Sequence, residues 1–487
     1  MNRPIISIFA CICLLWLRVS CSLETAMVIS LIKYGNTNPE TDFKVTKYGN
    51  STLKNQFAEP KTLTEVGKRQ MFLMGRYYKL KYKSLFNGDL LSNDVNVISS
   101  DTSRSVTAAH AFILGFTEQT AVLETNSLDK RLQPCFKRAN QSELIVNPGF
   151  ETPLPPGWNT ITIQATSVEN DTLLNLNSKE VCPNRNILLT KKEKARLSTY
   201  MNVEAELRKV AEIYGVNASN IDFSDLETCT KIFSLIESDY YRRSDPIISK
   251  SGEYAELYDK IEKCSDASLI SLYGNYQDIV AAGSPIFVNI TNTIKDFVNR
   301  DSSIPDTVFT VKNRRMHIYS CHKKSFFPAM VIFGMSSIQC VENRFKGLPM
   351  PENENCFEFP NPAIHMAIEL LRERATQSNS KHEYFIRVLY KDAPLKLPGM
   401  SQDTIPLKEF LSFIKRSINT EWARDCGLYL PDVPQKPTES WAILLVASNG
   451  LLLIIIITAF WLMWTRTSKQ KPVDDLEDPL NFSINDK

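Results

Sequence analysis

Short continuous apolar runs along this chain end in Gly, Pro, Ser or Asn, and a stretch with helical spacing follows each of them. Three units share this grammar of apolar strand, polar turn and helix. The first is the strand Thr25–Ile32, the loop Lys33-Tyr34-Gly35-Asn36-Thr37-Asn38-Pro39, and a helix opened by Thr64 and Glu65 that runs through Gly67, Gln70, Met74 and Tyr78. The second is Val95–Ile98, then Ser99–Arg104, then a helix to Gly115 whose apolar face is Ala108, Ala109, Phe112 and Ile113. Its Ser and Asp residues are natural N-caps. The third is Met316–Cys321, then His322-Lys323-Lys324, then a helix from Phe327 through Val331, Ile332 and Met335. Alternation of this kind predicts an α/β fold, a mostly parallel sheet core with flanking helices. Ligand sites in such sheets collect at the strand carboxyl ends, so Lys33, Tyr34, Thr37, Arg104, His322 and Lys323 form one candidate site.

The middle of the chain has a different texture. Residues 130–265 hold Pro-rich turns at Pro148, Pro153, Pro155 and Pro156, then helical stretches at Ala195–Tyr214 and Cys229–Tyr241. This predicts a smaller helical cap domain inserted between core segments 23–129 and 266–430. Ser268–Tyr276 and Ile286–Val298 read as helices returning to the core. Ala363–Arg374 reads as another helix, and Phe385–Tyr390 as a late strand.

Both ends carry membrane-related segments. Residues 1–22 have Arg3, the apolar stretch Ile5–Leu17 and then Ser20, Cys21 and Ser22, the three parts of a signal peptide. After a Pro-containing stalk at 431–440, Trp441–Trp464 is apolar throughout. At about 1.5 Å per residue it spans about 36 Å, enough for a transmembrane helix. Trp441, Trp461 and Trp464 sit at its boundaries, and Arg466, Lys469 and Lys471 follow at once. The expected topology is a single-pass type I membrane protein, with an extracellular or lumenal ectodomain and a cytoplasmic tail at 465–487.

Composition adds three constraints. A net charge of +2, with no basic run interleaved with aromatics, argues against nucleic acid as a partner. Eight of the eleven cysteines lie beyond the signal segment, an even number that suggests disulfides in an exported chain. No C-x-x-C or Cys/His cluster points to a metal, and no cofactor motif is present. Sequons at Asn50, Asn140, Asn170, Asn217 and Asn289 mark a glycoprotein.

The Lys33–Pro39 loop resembles the Arg-His-Gly-x-Arg-x-Pro signature of the histidine acid phosphatases, in particular their membrane-anchored lysosomal and prostatic-like branch. The resemblance runs over most of residues 25–426. "LTEVGKRQMFLMGRYYKLKY", "VISSDTSRSVTAAHAFILGF", "SLISLYG", "AAGSPIFVNI", "YSCHKKSFFPAMVIFG", "IRVLYKDAPLKLPG" and "EWARDC" carry it in order. It implies an α/β core, a helical cap and often a homodimer. It also implies a metal-free mechanism in which a loop His attacks phosphorus, Arg residues hold the phosphoryl oxygens, a second His assists and an Asp protonates the leaving oxygen. Carried onto this sequence, Lys33 stands for the first Arg, Tyr34 for the nucleophile and Thr37 for the second Arg. Arg104 matches the third Arg, His322 the second His, and Lys323 replaces the acid. Cys182 and Cys426 match positions that pair in the family. Nearness in the chain suggests Cys229–Cys264 and Cys340–Cys356, with other pairings left open.

A phenol with an ordinary pKa of about 10 is a poor nucleophile in an acidic lumen, and loss of the acid removes help of about 10²–10⁴ in rate. The expectation is therefore a pseudophosphatase. Lys33, Arg104, Lys323 and, below about pH 6.5, protonated His322 would crowd one cleft and favour a phosphate-like small anion. A live acid phosphatase acting on phosphomonoesters and a surface interaction module are the alternatives. The other histidines, His110, His317, His365 and His382, read as structural or surface residues.

Overall fold

The computed structural model describes residues 23–40, 59–86, 94–117, 161–176, 180–184, 202–301, 314–373, 382–428 and 454–465, apart from 218, 220, 274, 353–354 and 359–361. The signal segment, the sequons at Asn50 and Asn140, the stalk and most of the proposed span lie outside the described residues. Strands are β1 (Leu23–Lys33), β2 (Val95–Ser100), β3 (Ile163–Thr166), β4 (Met316–Cys321), β5 (His365–Glu373), β6 (Tyr384–Tyr390), β7 (Ala393–Leu395) and β8 (Thr404–Pro406). Helices are α1 (Glu65–Lys81), α2 (Ser103–Phe116), α3 (Glu204–Ile213), α4 (Leu226–Arg242), α5 (Ala255–Ser271), α6 (Tyr276–Asp301), α7 (Lys323–Ile332), α8 (Ile338–Lys346), α9 (Leu407–Ser417) and α10 (Trp422–Asp425).

The sheet order is β3-β2-β4-β1-β5-β6-β7, with β8 also paired to β6. Pairs β2–β3, β2–β4 and β1–β4 are parallel, whereas β1–β5, β5–β6, β6–β7 and β6–β8 are antiparallel. The sheet is therefore mixed, not mostly parallel. Strands β1, β2 and β4 are each followed by a helix that covers a face. The C-terminal strands are joined by short connections, and these allow antiparallel pairing.

β1 explains its own unbroken apolar sequence. Met27, Ile29 and Leu31 enter one core with Phe287, Phe326 and Phe333, while Val28 and Ile32 enter another with Tyr78, Phe112 and Phe116. A strand covered on both faces needs no polar alternation. The expected helix at Ala363–Arg374 is instead strand β5. Its Ala, Met, Leu, Glu and Arg are good helix formers. Pairing with β1 and β6 and burial of Met366–Leu371 override that preference.

Thr64 caps α1, its hydroxyl accepting from the Gly67 N–H. Of the helices expected at Ser268–Tyr276 and Ile286–Val298, the second lies within the longer α6, which contains Pro285, while the first straddles the end of α5 and the start of α6. Helices α3, α4 and α5 share their own apolar cluster, including Leu207, Tyr214, Ile232, Ile236 and Ile261. The boundary expected at 265/266 falls inside α5, and β3 is a strand within the segment expected to be helical. Disulfides join Cys182 to Cys426, Cys229 to Cys264 and Cys340 to Cys356, and Cys321 is a buried thiol. Asn170 and Asn217 are exposed, as is Asn289, whose side-chain carbonyl accepts from the Tyr319 hydroxyl at 2.6 Å.

The chain divides into two compact units, Met1–Leu428 and Tyr429–Lys487. In the second, residues 454–465 are helical with exposed apolar side chains from Ile454 to Trp464. Among the described residues no helix is long and apolar enough to cross a membrane.

Candidate functional site

Strands β2, β4 and β1 are consecutive neighbours, and their carboxyl ends deliver the candidate residues together. Lys33 closes β1 opposite Cys321 of β4. Tyr34 follows it, Arg104 lies in the first turn of α2, and His322 and Lys323 open α7. The Arg104 guanidinium lies over the Tyr34 ring at 4.8 Å from its centroid, and the Lys33 ammonium at 5.4 Å. The His322 ring meets Tyr34 edge-on at 6.1 Å. Thr37 is held by a backbone bridge to Leu63 at the entry to α1.

The loop is fixed by close backbone packing and by polar contacts. A Cβ at Gly35 would lie 2.4 Å from the Gly67 carbonyl oxygen, so the loop and the start of α1 touch only because both residues lack side chains. The Asn36 N–H donates to Gln70 Oε1 at 2.9 Å, and the Thr64 hydroxyl donates to Asn36 Oδ1 at 2.8 Å. Asn36 Nδ2 donates to the Glu237 carbonyl on α4 at 3.2 Å, tying core to cap.

Three carboxylates absent from the sequence reading enter the site. Lys323 Nζ pairs with Asp266 of α5 at 2.9 Å, and Arg104 Nη1 lies 3.5 Å from Glu40 Oε1. Glu237 of α4 lies close enough to strengthen the hold of Lys33 on its proton. Glu40 directly follows the loop that the sequence marks, whereas chain folding alone brings in Glu237 and Asp266. Asn36 and Gln70 were likewise unmarked, although Gln70 lies on the helix that the pattern predicted.

Charge states follow. Burial lowers the Lys33 pKa to about 8, with Glu237 opposing. Burial raises the Tyr34 phenol above its ordinary value, with Arg104 opposing. Burial also lowers Lys323, but the Asp266 carboxylate more than offsets this and keeps the ammonium protonated. Burial, then Arg104 and Lys324, lowers His322 to about 3. The expectation of a protonated His322 below pH 6.5 is thus corrected, since a buried imidazole beside a guanidinium stays neutral.

A pH dependence of stability follows from this. His322, His317 and His365 are lowered to about 3, 4 and 4, in each case chiefly by burial. Between those values and about 6.5 the unfolded chain binds protons that the folded chain refuses, so their contribution is lost as pH falls. Each should withdraw about 1.5 kcal/mol between pH 6.5 and 5. The urea midpoint should fall over that interval, and His317→Asn should flatten the fall. An equal slope in the variant would contradict the assignment.

Arg104 Nε and Nη1 and His322 Nδ1 are buried without a hydrogen-bond partner. The Lys33 ammonium has no ion pair or hydrogen bond with a described residue. Cationic side chains and unpartnered polar nitrogens are thus gathered at the carboxyl ends of three strands of an α/β protein. Residues 19–391 match the histidine phosphatase superfamily (branch 2), and the chain belongs to that family.

Prostatic acid phosphatase of Homo sapiens is 22% identical over 414 residues, covering 83% of this chain and 88% of that protein. Lysosomal acid phosphatase of Xenopus laevis is 18% identical over 405 residues, covering 83% and 79%. The multiple inositol polyphosphate phosphatase of Bifidobacterium longum, solved with inositol hexasulfate, superposes with a TM-score of 0.51 at 10% identity, over 80% of this chain and 92% of that one. At that identity the likeness speaks for the fold alone.

Proposed function

We propose that this protein is a catalytically impaired histidine acid phosphatase whose pocket binds a small oxyanion without cleaving a phosphate ester. One observation carries the reading: a buried phenol, Tyr34, stands where the family places its nucleophilic imidazole. Its raised pKa leaves it protonated at any physiological pH. The second defect is independent. Lys323, at the position of the proton donor, is an ammonium committed to Asp266. An ammonium held protonated by its partner is a poor general acid at neutral or acidic pH. Donors for oxyanion oxygens survive in Lys33, Arg104 and His322.

The segments at each end support a type I anchored glycoprotein with this domain on the extracellular or lumenal side. The apolar run 441–464, its flanking tryptophans and the basic residues after it favour that placement. The sequons at Asn170 and Asn217 lie on exposed positions, which suits glycan attachment.

The test uses the purified full-length protein. Phosphate release from p-nitrophenyl phosphate at pH 4–6 should stay at background, while phosphate or vanadate should raise the melting temperature with saturation. Brisk turnover would reject the impairment; an unmoved melting temperature would reject the binding.

A further inference from the structure

We propose that this pocket selects oxyanions carrying a single negative charge over dianions, with Glu40 as the residue that sets the preference. The inference rests on the binding reading above and narrows its ligand.

Charge and hydrogen-bonding capacity point to different requirements here, and together they define the ligand. Lys33, Arg104 and Lys323 supply three positive charges, and Glu40, Glu237 and Asp266 supply three negative ones. Lys324 interacts electrostatically with Glu40 and Arg104 and adds a fourth positive charge, and Glu262 and Arg344 flank Asp266 with opposite charges. Lys324 thus leaves the cluster one positive charge in surplus, which a monoanion neutralises, whereas a dianion leaves an uncompensated negative charge in a cluster largely withdrawn from water.

The hydrogen-bonding capacity is nonetheless unspent. The contact of Glu40 with Arg104 is an ion pair at 3.5 Å and not a hydrogen bond. Arg104 Nε and Nη1 and His322 Nδ1 still lack partners. The Arg104 nitrogens call for an oxygen acceptor and bond most strongly to an anionic one. One charge with several oxygens meets both conditions.

Glu40 is held in place from two sides. Its N–H donates to Ser234 Oγ on α4 at 2.9 Å. Two residues earlier, Asn38 Oδ1 accepts from Arg242 Nη1 at 3.2 Å. The loop is thereby latched to the cap helix with its carboxylate directed at the arginine that the resemblance assigns to phosphoryl oxygens. A substitution there changes the charge of the pocket without removing any of its donors.

Sulfate and methyl sulfate separate charge from shape, since both present tetrahedral S–O oxygens and neither changes charge between pH 5 and 8. Calorimetric titration of the full-length protein at constant ionic strength should give methyl sulfate about tenfold tighter binding than sulfate. In Glu40→Gln, sulfate should gain about tenfold and the preference should vanish. Sulfate binding as tightly as methyl sulfate in the wild type, or a ratio unmoved by Glu40→Gln, would overturn the proposal. Binding of neither ion would instead remove the pocket reading beneath it.

Discussion

Lys33→Arg, Tyr34→His, Thr37→Arg and Lys323→Asp introduced together should raise p-nitrophenyl phosphate hydrolysis at pH 5 by at least about 10³-fold over the parent. The four changes restore the attacking imidazole, two guanidinium forks and a carboxylic acid at the ends of β1 and β4, beside His322 after β4 and Arg104 after β2. Lys323→Asp faces Asp266, which now pairs with the lysine at 2.9 Å. A carboxyl at residue 323 would face the buried Asp266 without the ammonium between them, and mutual repulsion raises the pKa of one of the two. The restored site would therefore hold a proton donor at the working pH. Glu40 opposes recovery by competing for Arg104, and adding Glu40→Gln should increase the rate further. A phosphorylated intermediate labile to acid, as a phosphohistidine is, should form on residue 34. A variant that melts like the parent yet stays inactive would mean the pocket has been assigned to the wrong residues.

Glu369→Ala should destabilise the fold by about 3 kcal/mol or more, without touching the candidate site. Glu369 lies on the central strand β5 and is 1% exposed. Oε1 accepts from the Tyr82 hydroxyl at 2.9 Å and lies 3.5 Å from Lys81 Nζ. Arg387 Nε donates to Oε2 at 2.8 Å, and Arg387 Nη2 forms an ion pair with it at 2.7 Å. Truncation strands a buried phenol and an arginine together, whereas the exposed Glu65–Lys68 pair is worth no more than about 0.5 kcal/mol. Urea denaturation measures the difference. Glu369→Gln, which keeps an acceptor, should lose less than the alanine variant. A Glu369→Ala midpoint within error of the parent would show that the cluster contributes nothing net.

Much of the architecture was legible because its cues are local. The loops after β1, β2 and β4 follow buried apolar runs, and the helices after them carry spaced apolar positions, with a side-chain cap at Thr64 on the first. The candidate residues were found for the same reason: a strand carboxyl end is marked by where its apolar run stops. The C-terminal half of the sheet was less legible. The segment 365–373 has helical composition, and only its neighbours on both edges make it a strand.

By itself, the sequence determined that a tyrosine follows β1 and a lysine follows β4, at the positions to which the resemblance assigns a nucleophile and an acid, because residue identity at a strand end does not depend on the rest of the fold. Tertiary structure decided what those groups experience. Glu40, Glu237 and Asp266 arrive from three separate stretches, and burial holds His322 neutral and leaves Lys33 near 8. Proton affinity and charge balance depend on distance through space and on access to water, and neither quantity is written along the chain.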